Sequence, residues 1–233
     1  MDTLSLLIGI VGSAASVYTL YSSLNVPFWI SISIGVIFLV AIVFIYIQYK
    51  KRRARKYAAV LIGLEWIRLL FEARDEHRLR VSYFEIIRNR MKNVARVPFG
   101  TDKTNETFAK SEGFAGACWK EYCQSGERIL IVSDLPSVRE NQEELLERYH
   151  HYNAYINEDK ALRFKPDVRS YIIIALQKSN LDRDLMGFVC LDSNAPYEFE
   201  AREKAPSEEH RILNEKVKNV SAIVDIISRA LYT

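Results

Sequence analysis

Charge is almost absent from the first part of this 233-residue chain, since residues 1–49 contain one charged side chain, Asp2. The chain is also poor in cysteine and histidine, with three and four of them. A long stretch without charge is not typical of a soluble domain, and three cysteines are too few for a disulfide scaffold. These shortages exclude a simple soluble enzyme, a disordered or collagen-like chain and a small disulfide-bonded protein.

Several motifs that carry chemistry are missing as well. The sequence has no Gly-x-x-x-x-Gly-Lys-Ser/Thr loop, no His-Glu-x-x-His and no Gly-x-Ser-x-Gly, the usual markers of nucleotide hydrolysis, zinc proteolysis and α/β-hydrolase chemistry. His150 and His151 are adjacent, and successive helical residues point about 100° apart, so this pair is poorly placed to chelate one metal ion. We therefore expect a protein that is not an enzyme, with no catalytic residues, metal or cofactor.

Two charge-free stretches follow one another: Leu4–Leu24, of 21 residues, and Val26–Tyr49, of 24 residues. Each exceeds the roughly 20 residues that an α-helix needs to cross about 30 Å of hydrocarbon. Asn25 and Pro27 favour a tight turn that opens a second helix. We therefore predict a transmembrane helical hairpin over residues 1–49. A cleaved signal peptide is the alternative for the first stretch, although no basic region precedes it and a second span follows.

A basic juxtamembrane segment follows at residues 50–56, where six of seven side chains are Lys or Arg. Such clusters stay on the cytoplasmic side of a bilayer, so we predict a two-span protein of the bacterial inner membrane with its N-terminus and C-terminal domain in the cytosol. Residues 57–233 hold 26 basic and 28 acidic side chains. The pI of about 8.6 therefore reflects one short cluster, and we expect no DNA binding.

Small and hydroxylated residues recur in the first stretch at small-xxx-small spacing, as in Ser5, Gly9 and Ser13. This spacing lets helix backbones approach closely and lets hydroxyl groups bond between helices. It serves either packing within one hairpin or the assembly of several hairpins in the lipid bilayer. We expect a homo-oligomer, and neither stretch contains an intramembrane ionisable residue that would mark an ion route.

Helical periodicity marks both ends of the remaining chain. Residues 57–78 are predicted to form a connecting helix that leaves the membrane without a Gly or Pro hinge. From Leu213 to Leu231, apolar residues alternate by four and three, which predicts a coiled-coil-like seam against the first helix and a second subunit. Between these helices we predict strands at 79–87, 128–133, 171–177 and 186–191.

The order of these elements predicts the fold class. Strands that come in runs between terminal helices favour an α+β domain over residues 79–233, with a largely antiparallel sheet flanked by N- and C-terminal helices. Residues 136–166 interrupt the strands with an acidic helical stretch followed by basic and aromatic side chains. We predict that this segment is an inserted lid.

Four pieces of this domain follow a recognisable order: Glu112–Gly116 (EGFAG), Arg128–Leu135 (RILIVSDL), Ser170–Leu176 (SYIIIAL) and Met186–Ser193 (MGFVCLDS). Over about residues 79–231 the order resembles that of GAF domains. In that family a Gly-x-x-Gly turn starts the helix beneath the pocket, a strand ends in Asp, and a strand pair ending in Asp-Ser closes the sheet. The sequence departs from the family pattern at Ala175, where Pro is frequent, and in the length and charge of the inserted segment.

The resemblance implies a sensor that binds a small molecule, such as a cyclic nucleotide, a tetrapyrrole or haem, and relays its occupancy through the terminal helices. We expect the pocket beneath the inserted segment, where aromatic faces suit a base and basic groups suit a phosphate. The candidate ligand-binding residues share this aromatic or basic character: Trp119, Tyr122, His150, His151, Tyr152, Tyr155, Arg163, Lys165 and Arg169.

The layout, a two-span hairpin before a GAF-like domain, is similar to that of bacterial effectors that carry a nucleotide-sensing domain in antiviral defence. This similarity implies a cyclic nucleotide ligand that controls the assembly of the hairpins and, through it, disruption of the membrane. No kinase, cyclase or DNA-binding segment is recognisable in the chain. The expected output is therefore the membrane itself, or a separate partner protein.

Two other functions stay open. One is a membrane tether or scaffold whose GAF-like domain binds a protein. The other is a GAF-like free methionine-R-sulfoxide reductase, an enzyme that uses cysteines. The chain has Cys118, Cys123 and Cys190, but the stretch before the strand at Ser170, where the reductases place a catalytic cysteine, contains none. We expect three buried thiols in a reducing cytosol.

Overall fold

The structure is a computed structural model, which describes residues 11–12, 15, 18–19, 28–71, 79–97, 107–136, 141–155, 168–179 and 182–232. The chain divides into two compact units, Met1–Tyr57 and Ala58–Thr233. The predicted division into four segments is finer than this and stays a prediction.

A single helix, α1, begins at Phe28 and ends at Leu70. Its stretch Ile32–Leu70 is long and apolar enough to cross a membrane, with a mean hydropathy of 2.4 over 18 residues that are not buried within the chain. By length and composition alone, this helix can span a bilayer. The predicted second span and connecting helix are thus parts of one helix, because no Gly or Pro interrupts them near the basic segment.

The predicted first span, Leu4–Leu24, lies mostly outside the described residues. Its described residues are helical: Val11, Gly12, Ala15, Tyr18 and Thr19. The hairpin, its turn and the small-xxx-small contacts therefore stay predictions.

A six-stranded antiparallel sheet forms the centre of the second unit, in the order β3-β2-β1-β6-β5-β4. The first strand, β1, lies beside the last, β6, in the middle of the sheet. The predicted α+β class with an antiparallel sheet is confirmed. The strands are β1 Leu79–Ile87, β2 Arg90–Val97, β3 Thr107–Ala109, β4 Ile129–Val132, β5 Ser170–Ser179 and β6 Asp182–Ser193.

The four predicted strands are present, but sequence reasoning missed β2 and β3. Two polar side chains of β2, Asn93 and Arg96, are buried, so the sequence lacks the apolar–polar alternation that marks a half-buried strand. The sequence did offer one signal, which is Asn89 at the junction of β1 and β2. In the structure, Arg88 and Asn89 join these strands with φ of 49° and 62°. Two successive residues with positive φ are typical of a two-residue hairpin turn, and Asn favours that conformation.

Among the described residues, three further helices cover the sheet: α2 at Gly113–Ser125, α3 at Gln142–His151 and α4 at Ser207–Tyr232. Side chains of α2 and α3 pack in one buried cluster with Phe84, Ile173 and Phe188 of the sheet. We refer to this side of the sheet as the α2 face. Helix α4 packs against β5.

The apolar seam predicted on α4 packs against other parts of the same chain. Val220 and Val224 are fully buried and Ile227 is 2% exposed, because an amphipathic helix places its apolar stripe on the core. These three residues are therefore covered within one chain, and the expected packing of the seam on a second subunit stays a prediction. Homo-oligomerisation itself stays a prediction.

Candidate functional site

The turn before α2 has the geometry that the EGFAG motif predicts. Gly113 has φ +66°, a left-handed conformation that favours glycine, and its backbone N–H donates to the carbonyl of Tyr155 at 2.7 Å. A Cβ on Gly116 would lie 2.4 Å from the carbonyl carbon of Ser111. Both glycines are thus required, one by backbone conformation and one by close packing.

The inserted segment packs onto this turn over residues 141–155. Asn141 caps α3 by accepting a hydrogen bond from the backbone N–H of Glu144 at 3.1 Å. The ring of Tyr149 stacks on Phe114 with centroids 4.2 Å apart. The described part of the predicted lid is therefore a packed cover on the α2 face.

Apolar side chains fill the space between this cover, α2 and the sheet. The described residues there form one buried cluster that spans α2, α3 and five strands. Its aromatic members are Phe84, Phe114, Trp119, Tyr122, Tyr149 and Phe188.

Two predicted ligand residues belong to this cluster. Trp119 is 5% exposed, and its ring lies 6.0 Å from that of Phe188. Tyr122 is 3% exposed, and its hydroxyl accepts a hydrogen bond from the side-chain amide of Gln177 at 2.8 Å. Both side chains point inward from α2, and Tyr122 carries a polar contact to β5.

Other predicted ligand residues lie at the edge of the cover. His150, His151 and Tyr155 are exposed, and Tyr152 is partly buried against Phe114, with ring centroids 5.8 Å apart. Among the residues that the structure describes, no group of three or more His, Cys, Asp or Glu side chains is placed to hold a metal ion.

The predicted ligand residue Arg169 binds neighbouring backbone and side-chain groups. Its guanidinium donates to the carbonyl of Leu135 and lies 3.5 Å from the carboxylate of Asp134. Asp134 also accepts a hydrogen bond from the hydroxyl of Tyr197 at 3.0 Å. These contacts hold the segment after β4 and explain its positive φ of 54° at Asp134. The predicted residues Arg163 and Lys165 lie outside the described residues.

A row of buried polar side chains crosses the α2 face near β1, and sequence reasoning missed it. Arg80 donates from Nε to the carboxylate of Asp192 at 2.8 Å. Two residues further along β1, the hydroxyl of Ser82 accepts a hydrogen bond from Nε of Arg96 at 3.0 Å, and Arg96 is 7% exposed. Asn93, on β2, is 0% exposed, and its side-chain nitrogen and oxygen have no hydrogen-bond partner.

The three cysteines differ in exposure. Cys118 and Cys190 are buried, whereas Cys123 is exposed, so the expectation of three buried thiols is wrong for Cys123, which lies on the outer side of α2. Burial raises the pKa of Cys118 to about 12 and raises that of Cys190 well above its usual value. Both thiols therefore stay protonated at neutral pH. Because the thiolate is the reactive form of cysteine, neither is expected to be a reactive nucleophile.

An open groove of about 580 Å³ lies on the surface between the segment after β6 and the start of α4. None of the predicted ligand residues lines it. Its lining is apolar and acidic: Pro196, Tyr197, Glu198, Pro206, Glu208, Glu209, Ile212 and Leu213.

Comparisons with protein-family models and with curated proteins find no match. Among solved structures, the chain is similar to the blue-light-absorbing form of the PixJ GAF domain of Thermosynechococcus elongatus, at 14% identity and a TM-score of 0.48, over 78% of this chain and 87% of that one. It is also similar to the GAF domain region of a putative membrane protein of Geobacter sulfurreducens, at 11% identity and a TM-score of 0.46, over 79% and 97%.

A third similar structure is the type II free methionine-R-sulfoxide reductase of Thermoplasma acidophilum. It is 13% identical, with a TM-score of 0.46 over 78% of this chain and 95% of that one.

Proposed function

We propose that this chain is a GAF-like sensor of a small molecule, anchored in the bacterial inner membrane, whose ligand state controls the assembly of its transmembrane hairpins. The ligand that best suits the α2 face is a nucleotide, in particular a cyclic nucleotide. Aromatic rings of the buried cluster offer stacking surfaces for a base, and the buried guanidinium of Arg96 offers positive charge for a phosphate.

One chain of contacts carries this proposal, because it connects the α2 face to the helix that continues into the apolar stretch. The side-chain amide of Gln177 donates to the hydroxyl of Tyr122 at 2.8 Å. The backbone carbonyl of Gln177 accepts a hydrogen bond from the hydroxyl of Ser228. The neighbouring residue, Ile227, packs directly against Gly63 of α1.

Each link in this chain is buried or closely packed, so a shift at one end is transmitted to the next. Tyr122 and Ser228 are 3% and 4% exposed, and a buried hydroxyl that loses its partner costs about 1–3 kcal/mol. A ligand that displaces Tyr122 therefore favours a different position of α4. Close packing between α4 and Gly63 extends that preference to α1.

A role as an antiviral effector that disrupts the membrane is the second part of the proposal. It is supported by the predicted layout, in which a transmembrane hairpin precedes a GAF-like domain. The expected activity is leakage of a dye from vesicles that contain the full chain, switched by addition of the nucleotide. Leakage that is the same with and without every nucleotide would remove this part and leave the sensor.

The alternatives receive less support. A scaffold with a protein-binding domain needs no polar chain between Tyr122 and α4. A sulfoxide reductase needs a reactive thiolate, whereas burial keeps Cys118 and Cys190 protonated. Cys123 is exposed but has no second cysteine beside it on the outer side of α2 in the described chain.

The experiment is a thermal-stability screen of the full chain in detergent against cyclic mono-, di- and oligonucleotides. Binding at a hundredfold excess over the dissociation constant stabilises a protein by about 2.7 kcal/mol, which raises the melting temperature by several degrees. The relay is tested with Ser228→Ala, against Ser221→Ala on the same helix. We expect both variants to bind the nucleotide, and only Ser228→Ala to lose the nucleotide-dependent change in cross-linked oligomers.

A panel without any melting shift, in a chain shown to be folded, contradicts the nucleotide assignment. Oligomers that respond equally in both serine variants contradict the relay through Ser228.

A further inference from the structure

A polar side chain is buried without a partner on the α2 face. Asn93 is 0% exposed, and neither its amide nitrogen nor its amide oxygen has a hydrogen-bond partner. A buried amide in this state destabilises the fold, because both groups have given up their hydrogen bonds to water. Orphaned groups of this kind are rare in folded proteins, and a functional role is one of the explanations for them.

A β-bulge in β2 sets the face of the sheet on which Asn93 lies. In the pairing of β1 with β2, Asn93 lies opposite Phe84, while Ala95 lies opposite Tyr83, so Val94 is an extra residue that forms a β-bulge. Residues directly opposite one another share a face of the sheet, and Phe84 lies on the α2 face. The bulge therefore places both Asn93 and Arg96, three residues apart, on that face.

Aromatic side chains lie on the same face of the sheet as Asn93, and Phe84 pairs with it directly. On β6, Phe188 pairs with Phe84, and the ring of Phe84 meets that of Phe108 at 5.6 Å. The indole of Trp119 lies 6.0 Å from Phe188. Flat aromatic faces next to an amide are the two elements with which proteins bind an unpaired base, by stacking and by hydrogen bonds to its edge.

The chemistry of the amide narrows the ligand class. An Asn side chain presents a donor and an acceptor side by side, and this pair matches an adjacent acceptor and donor on a base edge, as in bidentate recognition of adenine. We propose that Asn93 is the base-reading residue of this protein, and that a nucleobase enters among the aromatic rings and satisfies both of its amide groups.

The inference deepens the proposed function and rests on it in one respect, since both place the ligand on the α2 face. Free nucleosides test the base-reading role separately from the binding of a cyclic nucleotide, because they carry the base without the phosphate. A base reaches Asn93 by displacing apolar side chains of the cluster, among them those next to Tyr122. Base recognition therefore lies at the start of the contact chain that leads to α4.

The test uses the full chain in detergent and follows its melting temperature with millimolar adenosine, guanosine, cytidine or uridine. We expect at least one nucleoside to raise the melting temperature of the wild type by several degrees. We expect Asn93→Leu to melt at a higher temperature than the wild type without ligand, because the orphaned amide is gone, and to lose the nucleoside-dependent rise.

Two further variants make the result decisive. Asn93→Ala removes the amide with less demand on packing and is expected to lose the nucleoside response as well, even if Asn93→Leu does not fold. Asn219→Leu, at an exposed position of α4, is the matched control and is expected to keep the wild-type response.

The inference is overturned if no nucleoside stabilises the wild type, or if the variant at Asn93 that folds keeps the full response. Failure of the proposed function has a different signature. If nucleosides stabilise the protein through Asn93 and cyclic nucleotides do not, the cyclic nucleotide is excluded as the ligand and the base site is retained. If a cyclic nucleotide still stabilises both Asn93 variants, the sensor function is supported and the base-reading role of Asn93 is contradicted.

Discussion

Ile227 of α4 packs so closely on Gly63 of α1 that a Cβ added to Gly63 would lie 2.6 Å from its Cγ1 and 2.7 Å from its Cδ1. Contacts between real carbon atoms do not approach this distance, so any side chain at Gly63 must push the two helices apart or turn Ile227 out of its position. Gly63 is thus required by packing, although a glycine inside a helix costs about 1 kcal/mol relative to alanine.

Gly63→Ala is therefore expected to destabilise the protein despite the better helix propensity of alanine. Overpacking of a core costs about 1–3 kcal/mol, which exceeds the gain in propensity. Urea unfolding of the full chain in detergent measures the change in the free energy of unfolding.

A double-mutant cycle supplies the control for this prediction. Ile227→Ala removes both atoms that the new methyl group meets, so Gly63→Ala is expected to be far less harmful in that background than in the wild type. Equal costs in the two backgrounds would show that the contact with Ile227 is not the cause.

The thiols predict a simple labelling result. An aromatic disulfide reagent at pH 8 is expected to modify one thiol per native chain, that of Cys123, and three after denaturation. Cys118 and Cys190 are buried, and their pKa values are raised by that burial. Cys123→Ser is expected to abolish labelling of the native chain, and rapid labelling that persists in this variant would contradict the burial of the other two.

Stability is expected to fall at alkaline pH. Burial raises the pKa of Cys118 from 9.0 to about 12 and that of Tyr149 from 10.0 to about 12. Above pH 9 the unfolded chain therefore releases protons that the folded chain retains. The stability that these groups contribute is fully present below pH 9 and is lost as the pH rises towards 12, by at most about 1.4 kcal/mol per pH unit for each group.

Urea midpoints at pH 8, 9.5 and 11 measure this loss. Cys118→Ala and Tyr149→Phe each remove one titrating group, and each variant is expected to show a shallower decline than the wild type. A wild-type midpoint that does not change up to pH 11 would contradict the burial of both groups.

Cys123 also offers a test of membrane orientation. In a bacterial host that expresses the full chain, a membrane-impermeant maleimide is expected to label Cys123 only after the inner membrane is opened, because the basic segment at residues 50–56 is predicted to keep the following domain in the cytosol. Adding a cysteine at Ser23 of a Cys123→Ser variant probes the predicted turn of the hairpin. Labelling of that position in intact spheroplasts is expected for two spans, and its protection would indicate another topology.

The sequence predicted the α+β class and the four strands whose apolar residues are continuous or alternate clearly. The resemblance to GAF domains implied the glycine turn before α2, and the structure shows that Gly113 is needed there for backbone conformation and Gly116 for close packing. Sequence reasoning missed β2, since Asn93 and Arg96 are polar residues at buried positions there and the bulge at Val94 shifts the alternation by one residue. The candidate site suffered from the same omission, because Arg96 and Asn93 belong to that strand.

The predicted ligand residues show where periodicity stops being informative. Trp119 and Tyr122 lie inside the domain, as expected of large aromatic residues on the inner side of a helix. Arg169 was chosen for its charge, yet the structure shows it bound to Asp134 and Leu135. Composition suggested a phosphate ligand there, whereas the position of a side chain depends on neighbours that are distant in sequence.

What the sequence by itself determined is the local chemistry: an apolar helix followed by a basic segment, the four strands with a clear apolar pattern and the glycines that suit turns. These follow from properties that each short segment carries alone, such as hydropathy, periodicity and backbone freedom. Only the tertiary structure decided which side chains meet. It brought Ile227 to Gly63 and left the amide of Asn93 without a partner, because strand pairing, bulges and helix packing set contacts between residues far apart in the chain.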